Sequence, residues 1–220
     1  LKPDAVISFT IKNNIYAGIA CRRLAIPFLP NVSGRGAVFV DGGLTVPVIL
    51  TAYRYAFNRA ATVFYQNPED RKFFLDRRIG EASRAALLPG SGVDLEKFAA
   101  HPLPSKPGEP VFVMIARVLN DKGVREYAEA ARSVQARVPG VRFILIGAHD
   151  TGPEYVPAAD LARWQAEGLI DYRGAVADVR PIIAETDVAV LPSYYLEGTP
   201  RALMEAAAMG RPIVTTDTAG

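Results

Sequence analysis

The sequence predicts an α/β protein in which parallel sheets carry helices on their faces. Short apolar runs rich in Val, Ile and Phe alternate with segments in which apolar residues recur at helical spacing. This alternation is typical of βα units, whose strands are buried on both faces. One proline-rich stretch interrupts the pattern, and the same alternation restarts beyond it, which indicates two domains.

The first half is predicted to form a first domain over residues 1–96. Strands are expected at 5–9, 26–30, 62–65 and 85–88, and helices at 15–24, 46–59 and 67–78. The third helix has a clear start, because Asn67 stands at the N-cap, Pro68 in the first turn, and Glu69 and Asp70 follow.

Residues 97–110 are predicted to form a linker, because prolines are crowded there among charged residues. Beyond it a second domain is expected over residues 111–220. Its predicted strands are 111–116, 141–147, 170–173, 187–191 and 212–215, and its predicted helices are 124–138, 157–167, 179–184 and 199–209. The first of these helices repeats apolar residues along one face, namely Val124, Tyr127, Ala128, Ala131, Val134 and Val138.

Composition excludes several function classes. The 220 residues include 25 Lys and Arg against 23 Asp and Glu, a balance that argues against a dedicated nucleic-acid binder. One cysteine and two histidines support neither disulfides nor a structural metal site, so a reducing, cytoplasmic location and no metal are expected. No stretch approaches the roughly 20 apolar residues that a membrane-spanning helix needs.

The densest cluster of candidate site residues is SYYLEGTPRALMEAAAMGRPIVTTD. Glu197 and Gly198 precede a predicted helix that has Thr199 at its N-cap and Pro200 in its first turn, and Glu205 lies eight residues after Glu197. A helix N-terminus at the carboxyl ends of parallel strands attracts phosphate through its dipole and its unpaired N–H groups.

Two glutamates in this arrangement resemble the donor-site signature of the retaining glycosyltransferases of the large family numbered four. GSGVDLEKF at 90–98 is similar to that family's interdomain segment, and MIARVLNDKGVREYAEAA at 114–131 to its donor segment. The resemblance covers nearly the whole chain. It implies the GT-B fold, which has two Rossmann-like domains with parallel sheets and an active site in the cleft between them.

The resemblance also implies an activity, that of a retaining hexosyltransferase in cell-surface polysaccharide biosynthesis. A sugar would move from a nucleotide sugar, expected to be a UDP-sugar, to a hydroxyl of a lipid-linked saccharide. The nucleotide sugar is a substrate, so no cofactor is expected. The catalytic residues implied are Arg117, Lys122 and Glu197, with the two cations neutralising the leaving diphosphate and Glu197 holding sugar hydroxyls.

Donor binding is implied for the residues around the second glutamate. Glu205 would hold the ribose hydroxyls, because a carboxylate offers two acceptor oxygens to a vicinal pair. The backbone of Gly198, Thr199 and Pro200 would approach the donor, with Pro200 offering only its carbonyl, and Val176 would line the base pocket. The alternative is that these are ordinary solvated charges and packing residues.

The loop after the second predicted strand departs from the wider family. Many members have a histidine there, whereas this chain reads Asn31-Val32-Ser33-Gly34-Arg35-Gly36. The departure favours the bacterial branch that builds capsule, O-antigen and other lipid-linked saccharides. Asn31, Ser33, Gly34 and Arg35 are candidates for binding the acceptor or a phosphate. A glycine-rich turn with one solvated arginine is the alternative.

Three further expectations follow. The resemblance implies a chain cut at both ends, so the first domain would be incomplete and the second would lack its closing elements. A weak, salt-sensitive contact with the inner face of the cytoplasmic membrane is expected through four basic residues, Lys12, Arg22, Arg23 and Arg35. A UDP-sugar 2-epimerase of the same fold and a non-catalytic nucleotide-binding module remain alternatives.

Overall fold

The computed structural model confirms the α/β class and describes residues 2–35, 39, 45–104, 109–195 and 198–218. The chain clusters into two compact units. The first contains the residues up to Gly92 together with Tyr195 and 198–200, and the second contains the described residues of Val93–Tyr194 and Arg201–Thr218.

The first unit is built on a parallel sheet. Its strands are β1 (Val6–Phe9), β2 (Phe28–Val32), β3 (Val63–Tyr65) and β4 (Ala85–Leu87), and its helices include α1 (Ile11–Leu24), α2 (Val46–Phe57) and α3 (Pro68–Asp76). The strands are hydrogen-bonded in the order β1-β2-β3-β4, and all pairs are parallel. Residues that follow the strands therefore meet at one edge of the sheet, where ligands of open α/β sheets bind.

Helix α1 begins four residues earlier than predicted. The sequence Lys12-Asn13-Asn14 looks polar and resembles a loop, but Asn14 is buried inside the helix. Its side chain accepts a hydrogen bond from Ser8 Oγ at 2.5 Å and donates one to the Asn31 carbonyl at 2.8 Å. A buried amide is tolerated when its hydrogen bonds are made, which explains the polar residue in the helix.

An aromatic cluster forms the core of the first unit. Phe74 of α3 is fully buried, and its ring centroid lies 5.1 Å from that of Tyr53 and 5.8 Å from that of Tyr65. The predicted helix start is confirmed, because the Asn67 side chain accepts a hydrogen bond from the Asp70 N–H at 2.6 Å. Burying one aromatic side chain stabilises the folded state by about 1.5–3 kcal/mol. Because Phe74 lies on α3, the cap that begins this helix also supports the core.

The second unit carries the other parallel sheet. Its strands are β5 (Val111–Ile115), β6 (Arg142–Ile146), β7 (Asp171–Tyr172), β8 (Val188–Leu191) and β9 (Ile213–Thr215), and its helices are α4 (Val124–Gln135), α5 (Ala158–Ala166), α6 (Arg180–Ala184) and α7 (Arg201–Ala208). The strand order is β7-β6-β5-β8-β9, with β5 central. Within the described ranges, no helix is long and apolar enough to cross a bilayer.

Helix α4 buries most of its predicted face. Val124, Tyr127, Ala128 and Ala131 are buried in the core, and the Tyr127 hydroxyl donates a hydrogen bond to the Ile144 carbonyl at 3.0 Å. Val138 is 42% exposed, because the helix ends at Gln135 before reaching it. The buried face of α4 was thus predicted correctly over three helical turns, but the predicted helix extended too far at its C-terminal end.

The described part of the predicted linker packs on the second unit. Phe98 is buried in an apolar cluster with Ala206 and Met209. The buried Arg211 donates hydrogen bonds to the His101 carbonyl at 2.5 Å and to the Pro102 carbonyl at 2.9 Å. These contacts order residues that proline content alone predicts to be a spacer, and the unit boundary lies at Gly92.

Candidate functional site

The candidate donor site of the second unit is built around the turn that follows β5. This turn meets the segment that follows β8: the Asp121 carbonyl accepts hydrogen bonds from the Tyr194 N–H at 3.0 Å and from Ser193 Oγ at 3.3 Å. Gly123 has φ +78°, and a Cβ there would overlap the Pro192 carbonyl oxygen. The glycine therefore allows the start of α4 to approach the end of β8 closely.

The two predicted cations both follow β5. Lys122 closes a short 3₁₀ turn directly before Gly123 and is only 8% exposed, whereas Arg117 is exposed two residues after the strand. Their place at the carboxyl edge of a parallel sheet agrees with the predicted diphosphate site. A cation near this edge favours a phosphate ligand.

Glu205 lies on α7 with its side chain 13% exposed, and it is paired within its own helix. The Arg201 Nε atom lies 2.8 Å from Glu205 Oε1, an i,i+4 ion pair that was not predicted. Val176 is half-buried and packs against the apolar cluster that contains Ala206. Glu205 thus lies on α7, and Val176 lies at the margin of an apolar cluster to which α7 contributes Ala206.

The backbone before α7 makes its contacts inside the first unit. The Gly198 N–H donates to the Ser33 carbonyl at 3.0 Å, and the Thr199 N–H donates to Gln66 Oε1 at 3.1 Å. Both N–H groups predicted to approach the donor are thus hydrogen-bonded to protein groups. Glu197 lies outside the described residues.

The candidate acceptor loop, residues 31–35, is anchored at both ends. At one end Asn31 is buried, and its side-chain oxygen accepts a hydrogen bond from Gln66 Nε2 at 3.3 Å. At the other end Arg35 Nε lies 2.7 Å from Asp70 Oδ1. Gly34 between them has φ +119°, a conformation that glycine adopts readily.

Arg35 is held by a buried carboxylate and an aromatic ring instead of being solvated. Its guanidinium carbon lies 5.0 Å from the centroid of Phe73. Burial raises the pKa of Asp70, although Arg35 and the hydrogen bond from Asn67 act in the opposite direction. The alternative of a solvated arginine is therefore wrong, because Arg35 pairs with Asp70. The predicted contact of Arg35 with an acceptor or a phosphate stays a prediction.

Sequence reasoning missed three polar residues of this region, namely Asn14, Gln66 and Arg201. Gln66 directly precedes the predicted cap, but its partners Asn31 and Thr199 lie 35 and 133 residues away. A contact pattern of this kind leaves no local periodicity to detect. In the described parts of the chain, no group of three or more His, Cys, Asp or Glu residues could hold a metal ion.

A protein-family model matches the second half of the chain. The family described as "Glycosyl transferases group 1" matches residues 109–220. This range contains Arg117, Lys122 and Glu205, together with the strands and helices that position them.

Two curated relatives match the whole chain. An N,N'-diacetylbacillosaminyl-diphospho-undecaprenol alpha-1,3-N-acetylgalactosaminyltransferase of Campylobacter jejuni is 28% identical over 236 residues, which cover 100% of this chain and 60% of the relative. A UDP-Gal:alpha-D-GlcNAc-diphosphoundecaprenol alpha-1,3-galactosyltransferase of Escherichia coli is 28% identical, covering 100% of this chain and 59% of the relative. Both names describe sugar transferases, and neither describes an epimerase.

The fold is also similar to that of solved structures. The crystal structure of HepE of Anabaena in complex with UDP and glucose superposes with a TM-score of 0.76 at 19% identity, covering 97% of this chain and 60% of that chain. An alpha,alpha-trehalose 6-phosphate synthase of Burkholderia multivorans gives a TM-score of 0.74 at 17% identity, covering 100% and 58%. These likenesses confirm the predicted GT-B fold class, and the chain spans about 60% of the length of the relatives it matches.

Proposed function

The chain belongs to the family of glycosyl transferases group 1, and from that premise we propose that this protein transfers a glycosyl group from a UDP-sugar to a hydroxyl of a lipid-linked saccharide, with retention at the anomeric carbon. The observation that carries the proposal is the placement of Lys122 and Arg117 at the carboxyl edge of the second sheet, inside the region that matches the family. The names of the two curated relatives, both transferases acting on diphosphoundecaprenol-linked sugars, support the acceptor class.

Charge neutralisation is the proposed catalytic contribution of the two cations. When the bond between the sugar and the diphosphate breaks, negative charge grows on the leaving β-phosphate. Lys122 and Arg117 stabilise that charge, and the buried position of Lys122 strengthens the effect because little water screens it. Side chains supply this stabilisation in the proposal, so no divalent cation and no other cofactor are invoked.

Donor recognition is assigned to the two glutamates. Glu205 binds the ribose hydroxyls and Glu197 the sugar hydroxyls, a division that follows the family resemblance. The ion pair with Arg201 engages one oxygen of Glu205. A carboxylate has about four acceptor sites on its two oxygens, so Glu205 retains capacity for a ribose hydroxyl. Val176 is assigned to the base pocket, again from the family resemblance.

The acceptor side is assigned to the first unit, at the loop 31–35. A lipid-linked acceptor also implies a weak contact with the cytoplasmic face of a membrane. Lys12 and Arg23 on α1 are exposed and available for it. Arg22 contributes less, since its guanidinium stacks 4.1 Å from the Tyr55 ring centroid and donates to the Tyr55 carbonyl at 2.7 Å.

A transfer assay on the full-length protein tests the proposal. UDP-galactose and UDP-N-acetylgalactosamine are each incubated with undecaprenyl diphosphate that carries one N-acetylglucosamine or one N,N'-diacetylbacillosamine, the acceptors named for the two relatives, and the products are identified by mass spectrometry. We expect one added hexose or N-acetylhexosamine. Lys122→Ala should lower kcat by on the order of 100-fold, as loss of a preorganised electrostatic contact does. The control Lys72→Ala removes an exposed lysine of α3 and should leave kcat unchanged.

Other outcomes contradict the proposal in distinct ways. A donor epimerised at C2 without any acceptor would identify an epimerase. UDP binding with no turnover of any UDP-sugar would identify a binding module. Near-normal kcat in Lys122→Ala would remove the role assigned to that lysine while leaving the activity in place.

A further inference from the structure

A row of polar side chains lies across the carboxyl edge of the first sheet. Ser8 near the end of β1 donates to Asn14 of α1, and Asn14 donates to the backbone carbonyl of Asn31 at the end of β2. The side chain of Asn31 in turn accepts from Gln66, which directly follows β3. Ser8, Asn14 and Asn31 are at most 7% exposed. The row therefore joins the ends of three neighbouring strands.

Gln66 extends this row to the backbone of residues 198 and 199. Its amide nitrogen donates to Asn31 Oδ1 at 3.3 Å, and its amide oxygen accepts from the Thr199 N–H at 3.1 Å. Next to this bond, the Gly198 N–H donates to the Ser33 carbonyl at 3.0 Å. One half-buried amide thus joins the candidate acceptor loop to residues 198 and 199, which belong to the same unit.

The fit of Gly198 against Gln66 is close. A Cβ added to Gly198 would overlap Gln66 Oε1 and would lie 2.8 Å from Gln66 Cδ, shorter than real Cβ contacts. A side chain at position 198 would therefore displace the amide that accepts from Thr199. Glycine at position 198 leaves the space that the Gln66 side chain occupies.

Satisfied polar networks hold their members in one arrangement, because turning any of them away leaves a buried donor or acceptor unpaired. Here the network ends at an edge where substrates of open α/β sheets bind. Since both amide atoms of Gln66 are engaged, rotation of its side chain would break contacts with the acceptor loop and with residue 199 together.

We propose that Gln66 is a positioning residue of the transferase. It fixes the acceptor loop 31–35 and the backbone of residues 198 and 199 in the arrangement that transfer requires, and Asn14 supports it by holding Asn31. The inference rests on the proposed function for its catalytic consequence. The anchoring itself is a property of the structure and can be measured without any substrate.

Hydrogen exchange resolved to single amides measures the anchor in the full-length protein. Gln66→Ala should speed exchange of the Thr199 amide at least 10-fold, because the hydrogen bond that protects it is lost. Gln66→Glu keeps an acceptor oxygen and should retain most of the protection. Gln135→Ala is the matched control: this glutamine is also half-buried and donates to the Val141 and Gly168 carbonyls, but it lies in the second unit. It should leave Thr199 unchanged.

Kinetics then measure the positioning role. Gln66→Ala should lower kcat about 10-fold or more while the Kd for UDP stays within twofold. Gln66→Glu should recover only part of that loss, because it keeps the acceptor for the Thr199 N–H but loses the donor to Asn31 Oδ1. Gly198→Ala should reproduce the loss by pushing Gln66 aside. When Gln66 is already replaced by alanine, Gly198→Ala should lower kcat much less, since the Oε1 atom that its Cβ would overlap is absent.

The possible results separate the two proposals. Unchanged exchange at Thr199 in Gln66→Ala would overturn the anchor. Faster exchange with unchanged kcat would overturn the positioning role while leaving the transferase in place. If the unmodified protein transfers no sugar from any UDP-sugar, the proposed function fails, and the exchange of Thr199 alone decides whether Gln66 anchors this segment.

Discussion

Gly123→Ala is predicted to destabilise the second unit and to disturb the candidate donor site. Alanine at φ +78° costs about 1–2 kcal/mol, because its Cβ crowds the backbone in the left-handed region. The new Cβ would also overlap the backbone carbonyl of Pro192, and a backbone shift of this kind costs about 1–3 kcal/mol. The free energy of unfolding should therefore fall by about 2–5 kcal/mol.

Gly168→Ala is the matched control for this prediction. Gly168 has φ +68°, and nothing lies within 4 Å of the Cβ that alanine would add. Gly168→Ala should lower the free energy of unfolding only by the conformational cost of alanine in the left-handed region, about 1–2 kcal/mol. The difference between the two variants isolates the contact with Pro192.

The fluorescence of Trp164 during urea denaturation measures the unfolding of the second unit specifically. Trp164 is the one tryptophan of the sequence, and it is buried in the core of that unit. Gly123→Ala should also weaken UDP binding, because Lys122 is its neighbour in the chain. Equal destabilisation by Gly123→Ala and Gly168→Ala would refute the argument from close approach.

Three further predictions concern single side chains. Glu205→Ala should weaken binding of UDP itself in calorimetry, since the ribose is shared by donor and product, whereas Glu197→Ala should impair only the sugar-dependent step; equal losses would contradict this division. Burial raises the pKa of Asp70 above its ordinary 3.8. The contribution of this carboxyl group to stability is therefore complete below pH 3.8, and it is lost as the pH rises through the pKa that Asp70 has in the folded protein. Denaturation between pH 4 and 7 should show the unmodified protein losing stability relative to Asp70→Asn as pH rises, and a relative gain would contradict the sign. In co-sedimentation with anionic vesicles, Lys12→Ala and Arg23→Ala should each weaken binding about fivefold, from about 1 kcal/mol per basic residue, and indifference to anionic lipid at low salt would favour a soluble acceptor.

The features that the sequence predicted well are those that depend on neighbouring residues. Asn67 at the N-cap, Pro68 in the first turn and the acids that follow predicted the start of α3, and the 3.6-residue period predicted the buried face of α4. Lys122 was singled out by the resemblance of residues 114–131 to the family's donor segment, and its role stays a prediction. Signals such as the cap and the helical period can be detected in the sequence because they do not depend on contacts with distant segments.

The features that were missed depend on contacts between distant segments. Asn14 looked like a loop residue because its partners, Ser8 and Asn31, become its neighbours only when β1 and β2 pair. Arg35 looked solvated because nothing in the sequence places Asp70 beside it. Residues 97–110 were predicted to be a linker, and their packing was missed because the buried Arg211 that holds His101 and Pro102 lies more than 100 residues further along the chain.

The anomeric configuration of the transfer product is the measurement that tests the central claim most directly. The full-length protein is incubated with a UDP-sugar and an undecaprenyl diphosphate-linked monosaccharide of the kind named for the relatives, and the linkage in the purified product is determined by NMR. Our account predicts a new glycosidic bond with the same anomeric configuration as the UDP-sugar, formed at a rate that depends on Lys122. An inverted linkage, or release of the sugar without any acceptor product, would contradict it.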